Sequence, residues 1–343
     1  MASPILSLQQ VGDITRRALS ACGANGQQLE YAVQSVVDAE CDGIPTVGLG
    51  FLPIYCGHLQ VGKLKGDATP SHERIAASAI RSYADTGFAH TAYAECEADF
   101  YELAKKQGIA ALSIVESYSA GVLGWFVQRM AQSGLIGIGF ANSPSTVAPA
   151  QGAGPFFGTN PMAFAVPRHD APPLVADMAT SQVALVTIKQ HAAQGKPIPL
   201  GWGYDKLGNP TEDAGAVIDG GALAPAGGYK GMLLGLLVDV LAGVISGPNC
   251  SFQAPVFENN TGGEPRIGQF FIAIAPATFS MVGEKGFSQR LETMLSALAN
   301  EPGVRLPGVR RHEFRQQAEQ NGVEVPQELI DRLEAFAASG AQT

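Results

Sequence analysis

Charge is scarce in this sequence. Asp, Glu, Lys and Arg make up 15% of the 343 residues and the balance is −9, which argues against a nucleic-acid partner. No basic cluster overrides that average, since Arg310 and Arg311 form the densest patch. Long apolar runs are missing too. The most apolar segment, Met232 to Ile245, contains Asp239 and is too short to span a bilayer, so no membrane association is expected and the stretch reads as a buried helix. The start, MASPILSLQQVGDITRR, has neither the basic opening nor the apolar core of a secretory signal. Cysteine is sparse: Cys22, Cys41, Cys56, Cys96 and Cys250 are scattered and odd in number, with no CxxC. Free thiols in a reducing, cytoplasmic compartment are therefore expected. The six histidines stand apart from one another, from cysteine and from ligand-spaced carboxylates, so no metal centre is expected. There is no GxxxxGK[ST], no HExxH and no GxSxG.

What is present is a compact α/β pattern with 46% hydrophobic residues, long enough for two or three structural units. Its densest information lies between Leu135 and Ser181. Three short apolar runs, Leu135 to Ala141, Met162 to Val166 and Leu174 to Ala176, are bounded by Gly, Pro, Asn or Ser, the pattern of buried strands joined by tight loops. The loop Ala148 to Pro161 carries three glycines and three prolines, and such backbone exposes N–H groups that suit an anion. Asp177 ends a strand and precedes a helix-like run, a plausible ligand position in an α/β protein or an N-cap of that helix.

Along the chain, helices are expected at Ser7 to Ala21, Gln27 to Glu40, Ile54 to Leu59, Thr91 to Gln107 and Val122 to Gly134, with strands at Ala76 to Tyr83 and Ile109 to Val115. Strand 109–115, helix 122–134 and the strand from Leu135 form a βαβ unit, which implies a parallel pair. The handover loop Ser119, Ala120 and Gly121 is then a candidate site. Residues after Gly195 read as an irregular loop wrapping a site, ending in GGYKG, where Lys230 before an apolar helix makes a good anion contact or mere loop punctuation. A further strand, GQFFIAIAP, the helix Phe287 to Ala299 and two final helices follow. His90, at a helix start, reads better as a capping or packing residue than as a site residue. GTNP, with Thr159 and Asn160, is a turn or a polar pocket wall. Together these small-residue loops suggest one shared cleft.

GIGFAN and GAGPFFG resemble pieces of a dinucleotide fingerprint, but the fingerprint needs a helix to open at its last glycine. Pro155 and the GTNP turn forbid one. A standard Rossmann site is therefore not expected.

At these residues the sequence resembles the malate/L-lactate dehydrogenase family of the second type, which also holds sulfolactate, ureidoglycolate and diketogulonate enzymes and reductases of Δ1-piperideine-2-carboxylate and Δ1-pyrroline-2-carboxylate. The blocks that carry the resemblance are AxxxGI near Ala39, NSPxxVAP, FFGTNPMAFAVP, DMATS, GKPIPLGW with DKLGNPT, PAGGYKG, and RLPG at Arg305. The resemblance implies a homodimer with a non-Rossmann, sulfolactate-dehydrogenase-like NAD(P)-binding sheet domain. It implies a helical substrate domain over 1–85, the cofactor domain over 86–300, and C-terminal helices over 301–343 packing back on the first. It also implies NADPH, or NADH, held by Ser119, Ala120 and Gly121, by Asp177, Met178, Ala179, Thr180 and Ser181, by Tyr229, Lys230 and Gly231, and by Pro307 and Gly308.

One departure redirects the chemistry. The family's SHGxxRLP loop supplies an acid/base histidine and a carboxylate-gripping arginine; here the loop reads Thr46, Val47, Gly48 and, at the arginine position, Phe51. The Arg-Gly pair the family often carries after DMATS falls at Leu185 and Val186, and ESYSAG lacks the usual histidine. Oxidising a 2-hydroxy acid needs a base for the hydroxyl proton, so loss of the histidine costs that reaction about 10² to 10⁴-fold. A cyclic imine arrives with its nitrogen already protonated and needs only a hydride. The expectation is an NAD(P)H-dependent reductase of small cyclic imino acids, with Thr46 orienting the nitrogen, Asp177 polarising the site, and Phe51, Tyr55, Thr159 and Lys230 around the substrate. The alternatives are a 2-hydroxy or 2-oxo acid dehydrogenase using another acid such as Tyr118, and a cofactor-binding protein that has lost catalysis.

Overall fold

The computed structural model describes residues 3–339. Its centre is a seven-stranded mixed sheet of β1 (Ser71–Ala76), β2 (Ala79–Tyr83), β3 (Ile109–Ser117), β4 (Ile136–Ala141), β5 (Met162–Val166), β6 (Leu174–Met178) and β7 (Ile267–Ile274). The spatial order is β1-β2-β3-β7-β4-β5-β6. Only β2 and β3 pair in parallel; every other neighbour is antiparallel.

The longer helices are α1 (Leu8–Ala21), α2 (Gly26–Cys41), α3 (Leu52–Gln60), α4 (Ala89–Gln107), α5 (Leu123–Gln132), α6 (Leu185–Ala193), α7 (Tyr229–Val238), α8 (Gly283–Ala299), α9 (Val309–Asn321) and α10 (Gln327–Ser339). Local chemistry sets several boundaries. Ser7 and Gln10 form a capping box that opens α1, and Gly108, at φ +83°, ends α4 where a side chain would be strained.

The expected βαβ pairing needs correction. β3 and β4 run the same way, but β7 lies between them and pairs antiparallel with both. The adjacent parallel unit is β2-α4-β3, because Ala76 to Tyr83 belongs to a hairpin whose strands join the sheet edge. The expected boundary at residue 85 therefore falls after two strands of the sheet.

β7 explains how both faces are filled. Phe271 and Ala273 join the core under α4 and α5, whereas Phe270 and Ile272 pack on the opposite face against Val238 and Ala242. Gly137 and Gly139, the supposed fingerprint glycines, sit inside β4. A Cβ on Gly137 would lie 2.7 Å from Met130 Sδ and one on Gly139 3.0 Å from Phe271, so they admit close helix and strand packing.

A second core joins α1, α2, α3 and α10, with Phe88, Tyr118 and Phe257 reaching into it. Residues Ile5–Leu6 pair antiparallel with Val323–Glu324, which ties the two chain ends together. The segment after Gly195 is more ordered than expected: Gly203–Tyr204 pairs with Ala222–Leu223, and Ala214–Ile218 is a short helix.

The Met232 to Ile245 stretch is not buried as expected. α7 turns inward Gly231, Gly235 and Val238, continues as a π-helical segment over Asp239–Ile245 that buries Ala242, and leaves Leu233, Leu234, Leu236 and Leu237 each more than two-fifths exposed.

Candidate active site

The site forms where β3 and β4 end and β5 and β7 begin, facing α3 and the loop before it. A cavity of about 240 Å³ opens there. Phe51, Tyr55, Phe257, Val47, Leu185 and Pro144 give it apolar walls, and Ser119, Asn142, Ser143, Thr146 and Thr159 give it polar points. Among the described residues Glu258 is the one acidic side chain at its wall, and no Lys, Arg or His lines it.

The 46–51 loop is held from below. The Leu49 N–H donates to Glu40 Oε1 at 2.7 Å, and Glu40 is buried, with its carboxyl pushed up by burial. Gly48 is required by that approach, since a Cβ there would lie 2.5 Å from Glu40 Oε1. The loop thus presents Val47 and Phe51 to the cavity. Thr46, expected to hold the substrate nitrogen, is half-buried and is not among the lining residues.

Tyr55 stands edge-on to Phe51, Phe88 and Tyr118. Burial pushes its phenol up to about 12, partly offset by the Ser119 hydroxyl, so it stays protonated at neutral pH. Tyr118, the alternative acid, is fully buried and bonded instead to His58 Nδ1 at 2.5 Å. His58 Nε2 faces the Asn259 carbonyl at 2.9 Å. A carbonyl only accepts, so Nε2 carries the proton and Nδ1 accepts from Tyr118.

The wall at Phe257 and Glu258 is pinned by a group no sequence pattern indicated. Lys63, 1% exposed, donates to the carbonyls of Val256, Asn259 and Thr261 at 2.6, 3.0 and 2.8 Å. These contacts span nearly two hundred residues, so local spacing carried no trace of them.

Asp177 lies away from the cavity. It does not cap the helix that follows it, because α6 starts only at Leu185. Instead its Oδ2 accepts from Gly124 N–H at 2.8 Å, in the first turn of α5, and lies 3.8 Å from Arg311 Nη2. Burial raises its pKa against the pull of both partners. A Cβ on Gly124 would lie 2.4 Å from Arg311 Nη1, so glycine is what allows that approach. Gly308, at φ +86°, lies beside this group, on the backbone of Val175.

The shared cleft exists in part. Ser119, Ala120, Gly121 and Thr159 line the cavity together. Thr180 N–H donates to the Thr159 carbonyl at 2.9 Å and Ala226 N–H to the Thr180 carbonyl at 2.9 Å, so the DMATS block knits the cavity wall to the GGYKG loop. The hydroxyls of Thr180 and Ser181 are taken by the carbonyls of Thr159 and Val183, while Met178, Tyr229, Lys230 and Pro307 are exposed. The glycine-rich Ala148 to Pro161 loop is not the open anion cradle its composition implied: the N–H groups of Gly152, Ala153, Phe156 and Phe157 all bond to backbone carbonyls. His90 is a packing residue, stacked on Phe126 with its ring centroid 4.9 Å away and pushed down to about 3 by burial.

The residues present fit a dinucleotide. At the start of α7 the N–H groups of Tyr229, Lys230 and Gly231 have no intrahelical acceptor, and a Cβ at Gly227 or Gly228 would meet nothing within 4 Å, so a phosphate has open access. In the cavity, the buried Thr146 hydroxyl has no hydrogen-bond partner among the described residues and fits a polar ligand group.

The family model for malate/L-lactate dehydrogenase matches residues 6–334. The chain belongs to the malate/L-lactate dehydrogenase family. It is therefore an NAD(P)-dependent oxidoreductase. Within this family it is 37% identical, over 98% of its length and 99% of the relative's, to a (2R)-3-sulfolactate dehydrogenase (NADP(+)) of Chromohalobacter salexigens. It is 35% identical, over 96% and 98% of the two chains, to a Δ1-pyrroline-2-carboxylate/Δ1-piperideine-2-carboxylate reductase of Pseudomonas aeruginosa. The crystal structure of Δ1-piperideine-2-carboxylate reductase from Pseudomonas syringae superposes with a TM-score of 0.90 at 33% identity, covering 97% of this chain and all of that one. The non-Rossmann fold expected from the resemblance is the fold observed.

Proposed function

We propose that the protein is an NADPH-dependent reductase of small cyclic imino acids, converting Δ1-pyrroline-2-carboxylate or Δ1-piperideine-2-carboxylate to L-proline or L-pipecolate. The observation that carries this reading is that Val47 and Phe51 both line the cavity. The positions where the family places its acid/base and its carboxylate clamp are thus filled by apolar side chains. When bound, the reduced nicotinamide supplies a hydride. The chain's own residues supply the rest: Phe51, Tyr55 and Phe257 enclose a planar ring and exclude water, while the hydroxyls of Ser119, Ser143 and Thr159 orient its polar edge. The substrate nitrogen already carries its proton, so the missing histidine costs this reaction little.

The relatives named above support imine reduction and NADPH. The sulfolactate relative favours a second reading, a 2-hydroxy acid dehydrogenase in which Tyr55 is the proton donor. Following nicotinamide absorbance with NADPH and Δ1-pyrroline-2-carboxylate, then pyruvate and oxaloacetate, ranks the two. Faster turnover of the keto acids would overturn the first reading. Silence with every substrate despite cofactor binding would leave a binding protein.

The exposed leucine face of α7 supports a homodimer, and five free cysteines support a reducing, cytoplasmic setting. Within each chain we assign 1–85, which is mostly helical up to Gln60 and whose last strands join the sheet edge, to substrate, 86–300 to cofactor, and 301–343 to a chain end that packs back on the first part.

A further inference from the structure

A cyclic imino acid is a zwitterion: a protonated ring nitrogen sits one bond from the carbon that bears the carboxylate. Among the described residues the cavity wall offers no cation for that carboxylate, yet its one charged residue is not alone. Glu258 Oε1 is 3.1 Å from Lys189 Nζ, and each side chain is 45% exposed. Lys189 stands one helical turn beyond Leu185 on α6, and Leu185 lines the cavity, so both project to the same side of the helix. The pair therefore bridges the cavity mouth from α6 to the 256–261 segment. A half-exposed pair of this kind is weakly held. The backbone beneath Glu258 is the opposite case, clamped by Lys63 and His58 through the carbonyls on either side.

We propose that the Glu258–Lys189 pair is the specificity-determining element of the site, opening to receive the substrate zwitterion with Glu258 facing the ring N–H and Lys189 facing the carboxylate. This rests on the imine-reductase reading. It supplies what Phe51 cannot, a cation for the carboxylate, and exchanges one ion pair for two of the same sense. A keto acid carries the carboxylate but no cation. It leaves Glu258 unpaired beside an anion, and like-charge juxtaposition is how a site rejects a wrong partner. The residue thus distinguishes imines from the 2-oxo acids used by dehydrogenases without touching the transferred hydride.

The test pairs kinetics with ligand binding. Glu258→Gln should raise KM for Δ1-pyrroline-2-carboxylate about tenfold, leave kcat nearly unchanged, and leave or lower KM for pyruvate. Lys189→Met should raise KM for both, since both carry a carboxylate. Calorimetry on the NADP(+)-loaded protein supplies a readout independent of turnover. L-Proline, which keeps both charges, should bind about tenfold tighter than cyclopentanecarboxylate, which keeps only the anion, and Glu258→Gln should erase that preference. An unchanged preference in Glu258→Gln, or an unchanged carboxylate KM in Lys189→Met, overturns the proposal. If the wild-type protein reduces no imine but still prefers L-proline through Glu258, the function assigned above fails while the charge reading survives.

Discussion

Val47 and Phe51 are two side chains whose exchange should move the protein between reaction classes. Both reach the cavity, and the loop that bears them is fixed by Glu40 through Leu49 N–H. Val47→His with Phe51→Arg therefore places an acid/base and a carboxylate clamp where the family carries them. Steady-state assays with pyruvate should show kcat/KM rising about 10²-fold or more, and no gain would mean that the cavity is not where substrate reacts. Tyr55→Phe separates the two functional readings. A phenol pushed up to about 12 remains a proton donor throughout the neutral range. If it serves keto-acid reduction, that activity should fall about 10²-fold in the variant while imine turnover is retained. Equal losses on both substrates would show that Tyr55 packs the ring rather than moves a proton. The sequence made Val47 and Phe51 visible because a family loop aligns on them. It could not show that Thr46 misses the cavity, because which neighbouring side chain points inward depends on the short helical turn at Leu49–Phe51.

The segments that shape the site are held by charges from distant parts of the chain. Lys63 is the clearest case, a buried ammonium satisfied by three carbonyls of the 256–261 segment. Lys63→Met leaves those acceptors without their donor, at a cost of about 1 to 3 kcal/mol. Urea unfolding should report that loss, and amide exchange should quicken in residues 256–261 before it does in β7. Uniform exchange across both would deny the clamp. Asp177 does for α5 what an N-cap does, from a different strand: Asp177→Ala should cost about 1 kcal/mol, with protection lost first at the start of α5. The type and extent of the longer helices and of strands 109–117 and 136–141 were legible from periodicity and from Gly108-type stops, while the short elements after Gly195 were not, because glycine and proline hide their period. Pairing was not. β7 enters between β3 and β4 from residue 267, and nothing in the text of strand 109–117 or strand 136–141 announces a partner so far along the chain.

At the scale of the whole molecule, burial sets both the acid limit and the assembly. His90 is neutral in the fold, pushed down to about 3 from an ordinary 6.5, with Arg129 adding a little to the effect of burial. Its folded pKa is the lower one, so its contribution is complete above about 6.5 and is lost as pH falls toward 3, near 1.4 kcal/mol per unit. Urea unfolding should therefore show about 2 kcal/mol lost between pH 6.5 and 5 that a His90→Phe variant does not lose; parallel losses would place the acid sensitivity elsewhere. The proposed assembly rests on α7. Gly231, Gly235 and Val238 face the chain while four leucines face out, the reverse of a solvent-facing helix. Composition alone could not say which way they point, and the stretch read as an interior helix for that reason. An apolar face of this kind marks an interaction surface, and a second copy covers it in the reading proposed here. Light scattering should give twice the chain mass for the wild type and the single-chain mass for Leu236→Glu combined with Val244→Glu, an exposed valine of the π-helical segment that continues α7. The same helix begins at Tyr229 and Lys230, and its inner face at Gly235 meets Thr180 and Phe157. Releasing the outer face should therefore loosen the helix start that would hold a cofactor phosphate as well, raising KM for NADPH more than KM for the imine. A variant that is monomeric with wild-type KM for NADPH would separate assembly from the cofactor site.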